Sequence, residues 1–140
     1  MTLPNVHQLE LTEIWSDDDS AQRSRVAFPI SVVMGAQSSS VVYFELEPGD
    51  HIGRHTDSAE EVLLILEGRG EASVGDATLA VETGTLAVVP ALVPHDLVNK
   101  GDTTLRVLGI FSSNTMVSVF DHTWQPIGSR IVGTPMPEAS

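Results

Sequence analysis

Short apolar runs separated by turn residues constrain this chain more than any other feature. Alternation marks eight candidate strands: Val26–Met34, Ser40–Glu47, Val62–Leu66, Glu71–Val74, Ala77–Val81, Leu86–Val89, Leu105–Phe111 and Met116–Phe120. Between them stand Pro48-Gly49-Asp50, Gly68-Arg69-Gly70, Gly75-Asp76, Thr83-Gly84 and Lys100-Gly101-Asp102, all strong turn chemistry. In "EASVGDATLAVE" the pair Gly75-Asp76 is a two-residue hairpin loop, because glycine readily takes the positive φ that primed turns require. Many short strands at close, regular spacing predict an all-β fold, a sandwich or a barrel.

A local helix competes at one place. Ser58-Ala59-Glu60-Glu61 matches a capping box, and Gly68 stands where a helix would end. That element would span only about two turns, at the bottom of the usual range, and "VLLILE" is apolar on every face. A strand is therefore expected there. The 140 residues fit one domain around one core. The expected layout is a barrel core over about 26–122, an N-terminal strand or arm over 1–25, and a C-terminal tail over about 123–140 that frays from Gly133 onward.

No stretch approaches the roughly 18 apolar residues of a membrane span, and the most apolar segment, "LAVVPALVP", is broken by Pro90 and Pro94. No membrane partner is expected. "MTLPNVHQLELTEIW" has neither the basic start nor the apolar core of a secretory signal, which makes the cytoplasm the expected location. A formal net charge of -12 opposes phosphate backbones, so nucleic acid is not an expected partner. Without cysteine the chain has no thiolate ligand or cysteine nucleophile. Any metal must be held by His, Asp or Glu.

Those residue types gather in "GRHTDSAEE". Alternate side chains of an extended segment share a face, which would align His51, Gly53, His55 and Asp57. Glu61 could join after a bend at Ser58 to Glu60, and His95 could complete the group from a neighbouring strand. Imidazole with carboxylate suits iron, manganese, zinc, nickel or copper. His51 could replace a ligand or act as a catalytic acid or base. Lone histidines such as His7 and His122 read as surface residues. Trp15, Tyr43, Phe44 and Trp124 could line a pocket or simply pack the core.

Two longer patterns resemble the cupin superfamily. "GDHIGRHTDSAEEVLLILEG" is similar to the first cupin motif, G-x5-H-x-H-x(3,4)-E-x6-G, with Gly49, His55, Glu61 and Gly68 in place and Asp57 at the second histidine. "GTLAVVPALVPHDLVN" is similar to the second, G-x5-P-x-G-x2-H-x3-N, with Gly84, Pro90, His95 and Asn99 in place and Leu92 at the internal glycine. The resemblance implies a small antiparallel β-barrel of the double-stranded β-helix or jelly-roll type. It also implies His55, Glu61 and His95 as metal ligands, with Asp57 where the fourth would stand. One divalent transition metal is expected, Fe(II) first and then Mn, Zn or Ni. The implied functions are a metal-dependent dioxygenase acting on a small organic molecule, a lyase or isomerase using the metal as Lewis acid, or a noncatalytic binding or sensing protein. A homodimer is the implied assembly.

Overall fold

The computed structural model describes residues 3–137, which form twelve strands and one 3-10 turn at Val32–Met34. The strands are β1 (Thr12–Trp15), β2 (Arg23–Ile30), β3 (Ser40–Leu46), β4 (His55–Asp57), β5 (Glu61–Glu67), β6 (Arg69–Val74), β7 (Ala77–Glu82), β8 (Leu86–Val89), β9 (His95–Asn99), β10 (Leu105–Phe111), β11 (Val117–Trp124) and β12 (Ser129–Gly133). They build two antiparallel six-stranded sheets, ordered β1-β2-β3-β10-β5-β8 and β12-β11-β4-β9-β6-β7. This is a jelly roll, as expected, although no continuous ladder joins one sheet to the other. Only isolated bridges, Trp15 with Gln125 and Gln22 with His51, tie them at the ends among the described residues.

Alternation explains the core. Leu63 and Ile65 of β5 and Leu105, Val107 and Phe111 of β10 point inward and are buried, meeting Ala72, Leu97, Phe120 and Trp124 of the opposite sheet in one cluster. Each such side chain contributes roughly 1.5–3 kcal/mol when removed from water. The competing helix is absent because Ser58 extends the pairing of β4 with β11: its Oγ accepts from the Val117 amide, and its own amide donates to the Val117 carbonyl.

The packed structure reaches beyond the 26–122 core expected from sequence. β1 places Ile14 in the core, Trp124 is fully buried, and β12 pairs with β11. The expected fraying from Gly133 is also corrected at its start: Thr134 is buried and its Oγ1 accepts from the Met116 amide. Residues 138–140 of that tail lie outside the described region.

Candidate metal centre

Three strands of one sheet and one strand of the other bring the acidic and imidazole side chains together. In β4, His55 and Asp57 share the inward face, and His55 stands directly opposite His95 of β9. β11 covers the other side of β4, setting Ser118 against Asp57 and Phe120 against His55. Glu61 opens β5 in the facing sheet and points inward at the same spot, while Glu60 is exposed.

Both imidazoles are fixed by the same device. His55 Nδ1 lies 2.6 Å from the Gly53 carbonyl oxygen, and His95 Nδ1 lies 2.9 Å from that of Val93. A carbonyl can only accept, so each Nδ1 carries the proton and each Nε2 is left as a potential ligand. Phe120 stacks on His55 at 4.3 Å and holds the ring plane. Ser118 Oγ donates to Asp57 Oδ1 and orients that carboxylate.

The donor atoms converge. His95 Nε2 is 3.0 Å from Asp57 Oδ2 and 3.6 Å from Glu61 Oε1, and His55 Nε2 is 3.6 Å from Asp57 Oδ1. His55, Asp57 and His95 each offer an atom within 4.8 Å of the other two. Ligands held ~2.0–2.2 Å from one ion stand roughly 3–4 Å apart, so the spacing fits a transition metal. Asp57 Oδ2 and His95 Nε2 are buried and, 3.0 Å apart, find no partner but each other. Such a buried charged pair without further partners is costly. A cation between them would satisfy both.

Electrostatics agree. Burial, with repulsion from His95, holds the His55 imidazole down at about 4, so it is neutral and free to ligate. Burial opposes the charged form of His95 as well, but the Asp57 and Glu61 carboxylates outweigh it and push His95 up to about 10. Burial also lifts Glu61 to about 7. Asp57 resists the same burial because His95 and His55 keep its carboxyl below the ordinary range. The cluster thus contains more acid than its single imidazolium can balance at high pH.

His51 is not brought to this cluster. Gly53 takes φ 98°, which breaks the alternation between positions 51 and 55, and its conformation is enforced further because a Cβ there would lie 2.4 Å from Gln22 Oε1. His51 instead sits between two carboxylates, with Nδ1 2.7 Å from Asp96 Oδ2 and Nε2 2.7 Å from Asp19 Oδ2. Asp96 then accepts from the Gly53 amide. The imidazole clamps the loop before β2 onto the segments that carry His55 and His95. Asp96, despite the cost of desolvating the ring, raises His51 to about 9, with help from Asp19. Because the folded value exceeds the unfolded one, His51 contributes its full stability below about pH 6.5 and loses it as pH rises through about 9. The wild type is expected to lose melting temperature relative to His51→Gln between those values. Parallel melting curves from pH 6 to 10 check this, and a constant difference would contradict it.

The remaining motif positions are structural. Asn99 is buried, donating through Nδ2 to the Leu46 and Thr103 carbonyls and accepting from the Gly101 amide. Leu92 stands at the motif's glycine with φ 66°, so the left-handed turn persists without glycine. Its amide donates to the Asp57 carbonyl at 2.9 Å and ties the two motifs together. His7 and His122 do not line the cavity, and Tyr43 is buried on the other face of β3, where its hydroxyl donates to Glu45; Phe44 and Trp124 line the interior cavity. Ser118, Phe120 and Asp96 were not singled out from sequence.

That cavity, about 610 Å3, lies between the sheets and ends on His55, Asp57, Glu61 and His95. A jelly roll with a candidate metal site facing an interior ligand-sized cavity defines the class of protein. The family model described as a cupin domain matches residues 42–111, half of the chain. The chain belongs to the cupin family. No curated relative matches it in sequence. Among solved structures it is similar to the oxalate decarboxylase of Lactobacillus farciminis in its formate complex, at 24% identity and TM-score 0.61 over 65% of this chain and 29% of that one. A recombinant oxalate oxidase in complex with glycolate gives 21% and 0.65 over 69% and 54%. The polyketide cyclase RemF from Streptomyces resistomycificus gives 21% and 0.64 over 79% and 78%. The chain therefore spans less than a third of the first of these proteins and about half of the second. No helix among the described residues is long and apolar enough to cross a membrane.

Proposed function

We propose that this chain is a metal-dependent cupin enzyme acting in the cytoplasm on a small organic molecule, with dioxygenase chemistry as the first reading. The observation that carries it is the convergence of two Nε2 atoms and the Asp57 carboxylate at the end of the cavity. Two histidines and one carboxylate form a face that leaves adjacent positions open, the arrangement suited to non-haem iron and oxygen. Fe(II) is accordingly the first choice, followed by Mn, Zn or Ni. The bound metal supplies Lewis acidity and, if it is iron, access to dioxygen.

The chain's own residues do the rest. The Gly53 and Val93 carbonyls fix the two tautomers, Ser118 fixes Asp57, and the apolar walls keep water from the site. Glu61 is the fourth donor in this reading. A second reading, redox-neutral cyclisation, isomerisation or lysis, is favoured by Glu61 standing beside the three-residue set rather than within it. There its carboxyl would move a proton to or from the substrate. The likeness to a polyketide cyclase over nearly equal shares of both chains supports the same alternative.

Oxygen uptake separates the readings. Iron-loaded protein offered catechols, flavonols and enolisable diketones is expected to consume oxygen with product formation, and to stop under argon. Turnover that continues under argon would replace the first reading by the second. Glu61→Gln would then retain metal and lose turnover. Protein that takes up no metal would overturn both in favour of a noncatalytic binder.

We also propose a homodimer through the outer face of β8-β5-β10-β3. Cross-strand register places Val88, Val62, Ile110 and Val41 in one outward row and Leu86, Leu64 and Leu108 in the next. Leu86 and Val88 are 67% and 59% exposed, and an apolar patch of this kind marks an interaction surface. Light scattering is expected to give twice the chain mass for the wild type and the monomer mass for Leu86→Asp/Val88→Asp. A monomeric wild type would refute the assembly.

A further inference from the structure

We propose that the cavity takes an uncharged, largely apolar molecule presenting one oxygen function, such as an enol, phenol or ketone, and rejects small carboxylic acids. This deepens the metal-enzyme reading, on which it rests only for what the oxygen function meets.

The first observation is the charge of the wall. Among the described residues no lysine or arginine lines the cavity, whereas Glu10, Asp57, Glu61 and Asp96 do. An anion entering a low-dielectric space must find a cation there. His95 already faces Asp57 and Glu61, and His51 already balances Asp96 and Asp19 from behind the wall. A divalent metal would be matched by Asp57 and Glu61, leaving no surplus positive charge for a dicarboxylate. The structures bound to formate and glycolate belong to proteins for which small acids are the ligands. Here the wall argues the other way.

The second observation is the apolar surface itself. Phe44, Leu63, Phe111, Met116, Phe120 and Trp124 form the interior walls, drawn from both sheets. The volume is in the ordinary range for a pocket enclosing a ligand of several rings. Three separate segments continue the apolar lining outward: Pro4, Met34, and Ile127 with Pro135. Met34 and Ile127 are 41% and 49% exposed, so the lining reaches solvent. A polar acid would gain nothing along this path, while an apolar body is drawn from water throughout it.

Calorimetric titration with matched probes tests the inference. 1-Naphthol and 1-naphthoate share a ring system and differ in charge at pH 7; oxalate supplies the small dicarboxylate. Zinc-treated and chelator-treated samples of the full chain are titrated, and zinc content is measured on each. The expected result is naphthol binding at least about ten-fold more tightly than naphthoate in both samples, with no saturable binding of oxalate. Naphthoate binding as tightly as naphthol in either sample overturns the inference. Ala72→Phe should fill the interior and Ile127→Trp should obstruct the exposed end, each weakening naphthol about ten-fold. Unchanged affinity in both variants, with melting temperatures showing them folded, would put the probe outside the cavity and overturn it too. Failure to take up zinc with the naphthol preference intact removes the metal reading alone. Zinc uptake with naphthoate preferred removes the substrate class alone.

Discussion

His95→Ala is expected to hold less than about a tenth of the metal that the wild type retains, against about one divalent ion per wild-type chain. Elemental analysis after desalting measures both. The expectation follows from position. His95 Nε2 lies within reach of both carboxylates, 3.0 Å from Asp57 Oδ2 and 3.6 Å from Glu61 Oε1. Removing it leaves His55 and Asp57 as a two-residue fragment and deprives two buried carboxylates of their positive neighbour. Loss of a residue that merely supports a ligand costs 10–100-fold in metal affinity, and loss of the ligand itself exceeds that. Circular dichroism separates metal loss from unfolding, since Glu61, already lifted to about 7 by burial, can accept a proton when His95 is gone. Wild-type affinity should fall as pH drops, because His95 and Glu61 must both release protons to ligate. Undiminished metal content in the variant would place the ion elsewhere.

Most strands were legible because turn residues bracket them and their inner faces alternate. Leu86–Val89 and Leu105–Phe111 agree with the expected bounds to the residue. β4, β9 and β12 were not among the eight candidate strands, and β1 was expected only as an N-terminal strand or arm, because these segments are short and become strands by pairing with β11, β6 and β2. The resemblance of the two motifs to the cupin pattern pointed to His55, Asp57, Glu61 and His95, and these side chains line the same end of the cavity, with His55, Asp57 and His95 forming the tight group. His51 was expected beside His55 because alternation assumes an unbroken extended backbone, and one positive φ at Gly53 removes that premise. Ser118 and Phe120 act on Asp57 and His55 across a ladder more than sixty positions away. Such register is a tertiary property, invisible to local pattern.

Gly109 shows the same limit and supplies the second large effect. It lies in β10 between Val42 of β3 and Leu63 of β5, and nothing about "VLGIF" marks it as more than a strand glycine. A Cβ there would lie 2.2 Å from Glu61 Oε2 and 2.8 Å from Val42 Cγ1. The glycine is thus the space that Glu61 occupies. Gly109→Ala is expected to lower stability by about 1–3 kcal/mol, measured by urea unfolding, because the neighbours are buried and well packed. It should also displace the Glu61 carboxylate and weaken metal binding while leaving His55, Asp57 and His95 in place. The two consequences have one cause, which a double-mutant cycle exposes. In a Glu61→Ala background the carboxylate is gone, so adding a methyl at 109 should cost markedly less, a coupling within the 0.5–3 kcal/mol typical of residues in contact. An equal cost in both backgrounds would assign the strain to Val42 and leave Glu61 free to move. A vanishing cost would make Gly109 part of the site, a residue that contributes by having no side chain.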